Sequence, residues 1–177
     1  MAFLFFSVAA LIALASRWLP HPDNFSAMYG LLFLCGYLLP KNKLVLPLGL
    51  SILMISDFLI GLYPGVEWVY LGYLMIFALG WLGASGVVGS LKSLFVKVGA
   101  LNLFAGLAFF FVSNFGVWFA TGLYDKTWAG FVQCYLMALP FLHMTLISQV
   151  VIGVAFVGAY HLVVSQLASV AVVDEKN

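Results

Sequence analysis

The stretch LVLPLGLSILMISDFLIGLY, Leu44–Tyr63, decides how this chain is read, because its twenty residues hold a single charge, Asp57. Twenty residues of helix rise about 30 Å, the thickness of a bilayer's hydrocarbon core. A carboxylate inside such a span costs at least about 2.5–3.5 kcal/mol and requires a partner or a cavity. Counted from Leu44 at the inner edge, Asp57 lies about 20 Å along the helix, in the outer half of the bilayer. Its nearest natural counter-ion is Arg17, the only arginine in the chain, at the outer end of the first apolar run. An Arg17–Asp57 pair is therefore expected.

The same pattern repeats on both sides of that stretch. Apolar runs cover Ala2–Ser16, Ser26–Leu39, Trp68–Val88, Phe95–Ala120 and Ala129–Val173. They are separated by segments rich in Pro, Gly, Asn or charge, as turns require: Arg17–Phe25, Pro40–Lys43, Pro64–Glu67, Gly89–Leu94 and Thr121–Trp128. The last run would reach nearly 70 Å as one helix, about twice the hydrocarbon core, and Pro140 is read as dividing it. The expectation is one transmembrane domain over residues 1–177, an all-α integral membrane protein with six crossings at 2–16, 26–39, 44–63, 68–88, 95–120 and 141–166. A short apolar helix over 129–139 is expected at, or dipping into, the membrane face.

Composition agrees. Apolar residues make up 65% of the chain and charged residues 7%, with a mean hydropathy of +1.15, against roughly 45–50% and about 25% in soluble domains. A net charge of +1 without a basic run leaves no electrostatic footprint for nucleic acid. Cys35 and Cys134 lie in separate apolar runs without metal or dithiol spacing and read as buried hydrophobes. Phe3–Ala15 ends in Ala13-Leu14-Ala15, which resembles a cleavage site, but no Lys or Arg precedes it, so it is read as a first short crossing.

Orientation follows from the basic residues, which concentrate in short cytoplasmic loops. Lys41, Lys43, Lys92, Lys97 and Lys176 fall on one side, against Arg17 and Lys126 on the other. Both termini are expected inside. Trp18, Trp68, Trp118, Tyr124 and Trp128 then fall near the outer face, partly as an interfacial belt.

Candidate binding residues are the polar groups kept at that outer side. The loop Arg17-Trp18-Leu19-Pro20-His21-Pro22-Asp23-Asn24-Phe25 is stiffened by two prolines and carries Arg17, His21 and Asn24 as preformed donors and acceptors. Ser113-Asn114-Phe115-Gly116-Val117-Trp118 adds an amide, Asn114, beside the flat apolar wall of Trp118. The same groups can instead act as staples between helices. Ala9 and Ala13, four apart on one helix face, permit close helix packing. Asn102, His143 and His161 complete the intramembrane polar set, and the two histidines are too far apart to share a metal. His21 has no second imidazole or carboxylate at helical spacing. No catalytic arrangement, metal site or cofactor is expected.

The loop from Arg17 to Phe25, Ser56-Asp57, Ser113 to Trp118, and Cys134-Tyr135 followed by Ala138-Leu139-Pro140-Phe141 occur in this order over nearly the whole chain. In this it resembles an uncharacterised bacterial family of small membrane proteins similar to the substrate-binding S components of energy-coupling-factor vitamin transporters. The resemblance implies six helices around an outer-side pocket that binds a vitamin or related small nutrient. It implies ATP hydrolysis in partner subunits and contact of Ala9 and Ala13 with a transmembrane coupling subunit. The chain departs from the expected pattern after Pro140. It has Leu142-His143-Met144-Thr145 and then Gln149 where an Asn-Thr pair and an acidic residue are expected, which leaves the ligand class open. The rival expectation is a non-transporting membrane scaffold or assembly factor. A binding component needs a cavity lined by Asp57, Asn114 and the first loop, whereas a scaffold packs those groups against one another.

Overall fold

Six helices carry the described residues of the computed structural model, which are 2–39, 41–84 and 90–174, with side chains from 3 to 166. They are α1 (Ala2–Ser16), α2 (Ala27–Leu38), α3 (Val45–Ile60), α4 (Val66–Ala84), α5 (Leu91–Ala120) and α6 (Trp128–Asp174). Among the described residues the regular structure is all helical, and three segments are long and apolar enough to cross a bilayer: Val66–Ala84, Leu91–Ala120 and Trp128–Gln166. The segments Phe3–Ser16, Ala27–Leu38 and Val45–Ile60 are apolar but shorter.

Every residue of α2 is buried. A helix that is apolar all round has no face that prefers water and belongs in the middle of a bundle, and α1, α3, α4 and α6 surround it. Its two glycines let neighbours come close. At Gly30 an added Cβ would collide with Ile152 of α6, and at Gly36 with the Phe77 carbonyl oxygen of α4, where it would also stand 2.8 Å from the Trp81 nitrogen. Gly80 of α4 answers Gly36, since a Cβ there would strike the Phe33 carbonyl group of α2. The two backbones thus touch directly, as small residues allow inside membranes.

The outer helices each turn one stripe inward. On α3 the buried residues are Val45, Gly49, Leu53, Ser56 and Asp57, a helical spacing that carries Asp57 toward the bundle interior. Phe58, Leu59 and Ile60 beside it face outward and are exposed. On α5 the stripe runs Leu94, Val98, Asn102, Ala105, Phe109. Large apolar side chains cover much of the exterior.

Three expectations need correction. Pro140 does not divide the last run, because α6 continues through it from Trp128 to Asp174. Proline removes one N–H from the helix ladder, but the turns before it are clamped onto α5: the Tyr135 hydroxyl donates to the Phe111 carbonyl at 2.6 Å, and the Tyr135 ring packs against Phe110. The separate helix over 129–139 is therefore the first part of α6. The fifth helix starts at Leu91, ahead of the expected 95, because Ser90 and Ser93 form a reciprocal cap, with the Ser93 N–H donating to Ser90 Oγ at 3.2 Å. Ala9 and Ala13 are 2% and 0% exposed within this chain's own core, so the small-residue face of α1 is covered by neighbouring helices and is not presented to a partner. Residues 85–88 of the expected fourth helix and Lys176 lie outside the described residues. Cys35 and Cys134 are buried free thiols, as expected.

Candidate functional site

The first loop is built to hold its polar groups still. The Phe25 N–H donates to the Pro22 carbonyl at 3.0 Å, closing a turn whose third residue, Asn24, has a φ of +60°. Asn is among the few non-glycine residues that tolerate this left-handed conformation. Ser26 then caps α2 by accepting from the Met28 N–H at 3.2 Å. Arg17, just past the end of α1, reaches across to α3 and forms an ion pair with Asp57, whose side chain is 6% exposed against 19% for Arg17. The expected pair is present, and one terminal nitrogen of the guanidinium makes it, leaving Arg17 Nε buried without a partner.

Beneath this pair lies a cavity of about 280 Å³. Arg17, Asn24, Asp57, Ser113, Asn114 and Thr145 give it polar lining from α3, α5, α6 and the first loop. Its apolar walls include Tyr29, Tyr73 and Phe109, which form one ring cluster with centroid separations of 5.7 Å (Tyr29–Tyr73), 4.9 Å (Tyr29–Phe109) and 5.3 Å (Tyr73–Phe109). Asn114 donates one N–H to the Phe110 carbonyl of its own helix at 2.8 Å. That bond uses one of the amide's two donors and leaves its acceptor. Tyr63, in the loop between α3 and α4, is half-exposed and borders the cavity. A second hollow of about 290 Å³ lies under the loop and shares Arg17, Asn24, Tyr29 and Tyr73, so the same side chains face both spaces.

Four of the six sequence-selected residues, Arg17, Asn24, Asp57 and Asn114, therefore line one cavity. His21 is exposed, with its Nδ1 2.9 Å from the Pro22 carbonyl oxygen, and borders only the outer hollow. Trp118 turns elsewhere: its indole N–H donates to the Asp125 carbonyl at 2.9 Å, and its ring packs edge-on against Phe131 in a separate surface cleft with Lys126 and Trp128. The tyrosines and Thr145 were not selected from sequence. Tyrosine inside an apolar run carries no periodic mark that separates a cavity wall from core.

One turn of α6 below Thr145, Gln149 is fully buried, and both its amide atoms lack a protein partner. It packs against Gly106 of α5, and Asn102, one turn further along α5, packs against Gly153 with its own oxygen unpaired. A buried polar group without a partner costs about 1–3 kcal/mol. Gln149→Met keeps the side chain's length and removes that cost, so it is expected to raise unfolding stability by about 1 kcal/mol in a chemical-denaturation series. A loss of stability would mean that the amide is held by something the fold requires.

Neither any curated protein nor any solved structure matches this chain. A family model does, over residues 1–171, nearly the full length that holds the cavity and the helices around it. The chain belongs to that family, described as a family of unknown function (DUF6580).

Proposed function

We propose that this protein is a membrane substrate-binding component for uptake of a vitamin or related small nutrient, similar in role to an S component and without an ATPase of its own. One observation carries the reading. Arg17, Asn24, Asp57 and Asn114 lie far apart in sequence yet converge on one cavity with aromatic walls, the mixture of a few placed polar groups and apolar surface that small-molecule sites use. In this reading the chain crosses a bacterial cytoplasmic membrane six times with both termini inside, as the lysine distribution favours. The short α2 is compatible with that, because a helix enclosed by others is not obliged to match the lipid thickness. A transmembrane coupling subunit with its ATPases would meet the exposed Leu4, Val8 and Leu11 face of α1, since Ala9 and Ala13 are enclosed.

The test is thermal unfolding of the detergent-purified protein across vitamins, their precursors and divalent metals. A ligand at about 100 times its Kd stabilises by about 2.7 kcal/mol. Asn114→Ala, which removes an amide worth about 1 kcal/mol of hydrogen bonding, is expected to weaken the responding ligand about 5- to 10-fold while leaving the unliganded protein folded. The direct Arg17–Asp57 pair favours a second reading, a non-transporting scaffold in which polar groups staple helices. Flat curves for a folded sample across the whole panel would move the assignment to that reading.

A further inference from the structure

The charge balance of the cavity bears on what kind of molecule it takes. Its charged side chains are Arg17 and Asp57, and each is already the other's counter-ion. Both are largely withdrawn from solvent, with Asp57 at 6% and Arg17 at 19% exposure. A ligand with net charge must either stay uncompensated in a poorly solvated space or break this pair, and both are costly where water screens little. A ligand without net charge leaves the pair intact.

A neutral ligand still finds unspent polar contacts. Asn114 borders the cavity and gives one N–H to the Phe110 carbonyl, which leaves its second N–H and its oxygen for a ligand. The walls add shape. Tyr29, Tyr73 and Phe109 present ring faces and edges in one cluster, which favour a flat partner. The volume of about 280 Å³ stands just under the range of roughly 300–1,000 Å³ that holds drug-sized ligands.

Building on the binding-component reading, we infer that the ligand is a small planar molecule without net charge that leaves the Arg17–Asp57 pair closed. Recognition then has two parts: the ring cluster selects a flat body, and the closed ion pair rejects cations and anions alike. Asp57 acts here as the group that cancels the arginine's charge, so that the cavity does not attract every small anion.

The test uses three probes of one shape and three charges: benzamide (neutral), benzoate (anion) and benzamidine (cation at neutral pH). Each is titrated against the full-length purified protein at constant ionic strength, with Kd read from ligand-observed NMR and thermal shift. The wild type is expected to bind benzamide at least about ten-fold more tightly than either ion. Asp57→Asn keeps the side chain's size and an acceptor for Arg17 but frees the positive charge, and it is expected to place benzoate first. Arg17→Met, which frees the carboxylate, is expected to place benzamidine first. Benzoate or benzamidine equal to or above benzamide on the wild type overturns the inference, as does no binding of benzamide, and these results need neither variant to fold. The binding-component reading stands or falls separately on the nutrient panel: a nutrient that stabilises the protein while the charge series shows no preference for the neutral probe sinks this inference alone.

Discussion

Alanine at Gly36 or at Gly80 is expected to lower the unfolding free energy by about 2 kcal/mol, and alanine at both to leave little folded protein. Two effects oppose each other. Replacing glycine in a helix interior gains about 1 kcal/mol from propensity, whereas forcing an extra carbon into a filled contact costs about 1–3 kcal/mol and at times more. The second wins here because the obstruction is backbone. The Cβ at Gly36 meets the Phe77 carbonyl oxygen, the one at Gly80 meets the Phe33 carbonyl group, and neither can rotate aside. Separating α2 from α4 would also disturb the Tyr29–Tyr73 contact that forms the cavity wall. Gly99 is the control. A Cβ there would have only Val154 Cγ2 at 3.9 Å as a neighbour, so Gly99→Ala is expected to be neutral or to stabilise by up to about 1 kcal/mol. Urea or dodecyl sulfate unfolding of the three single variants decides the matter, and equal behaviour at Gly36, Gly80 and Gly99 would refute the close-crossing account.

Asp57→Ala is expected to be the most destabilising single change among the polar residues, by about 3–5 kcal/mol, because it strands the Arg17 guanidinium without its counter-ion. The partial exposure of Arg17 places the effect toward the lower figure. Removing both charges is expected to be far milder. Arg17→Met with Asp57→Leu substitutes apolar side chains of similar volume, an exchange that is often neutral or stabilising for buried pairs. The double variant therefore separates two roles. If it unfolds like the wild type and no longer responds to the nutrient that stabilises the parent, the pair serves binding. If it is as unstable as Asp57→Ala, the pair is required for the fold itself.

How much of this was legible in the amino-acid sequence varies from residue to residue. Arg17 and Asp57 could be paired in advance because the chain has one arginine, and a carboxylate in so apolar a run has few ways to be satisfied. Asn114 was legible as a polar group kept near a helix end, and it does line the cavity. Trp118, four residues on and close to the same helix face, does not. The cavity-facing residues of α5 are Phe109, Phe110, Ser113, Asn114 and Val117, whereas Phe131 and the Asp125 carbonyl draw the Trp118 indole the other way. Pro140 misled for a related reason. Its local effect is to break a helix, but Tyr135 and the apolar turns around it are held to α5, and tertiary packing outweighed the missing N–H.

Glycine shows the same division. With 17 in the chain, spacing alone could not single out Gly36 and Gly80; they matter because α2 and α4 cross at those two positions. Conversely Ala9 and Ala13, which do stand in a small-residue pattern, face this chain's own core.

The sequence by itself determined that the chain is helical, roughly where most of its helices lie, and which few polar groups stand among apolar neighbours. Those features depend on local composition and on the cost of placing charge among apolar groups, which each segment carries wherever it packs. Only the tertiary structure decided which tyrosines wall the cavity, which glycines let backbones touch and that Trp118 faces away. These follow from the rotation and crossing of whole helices, set by the sum of many weak contacts along their lengths and carried by no single stretch of residues.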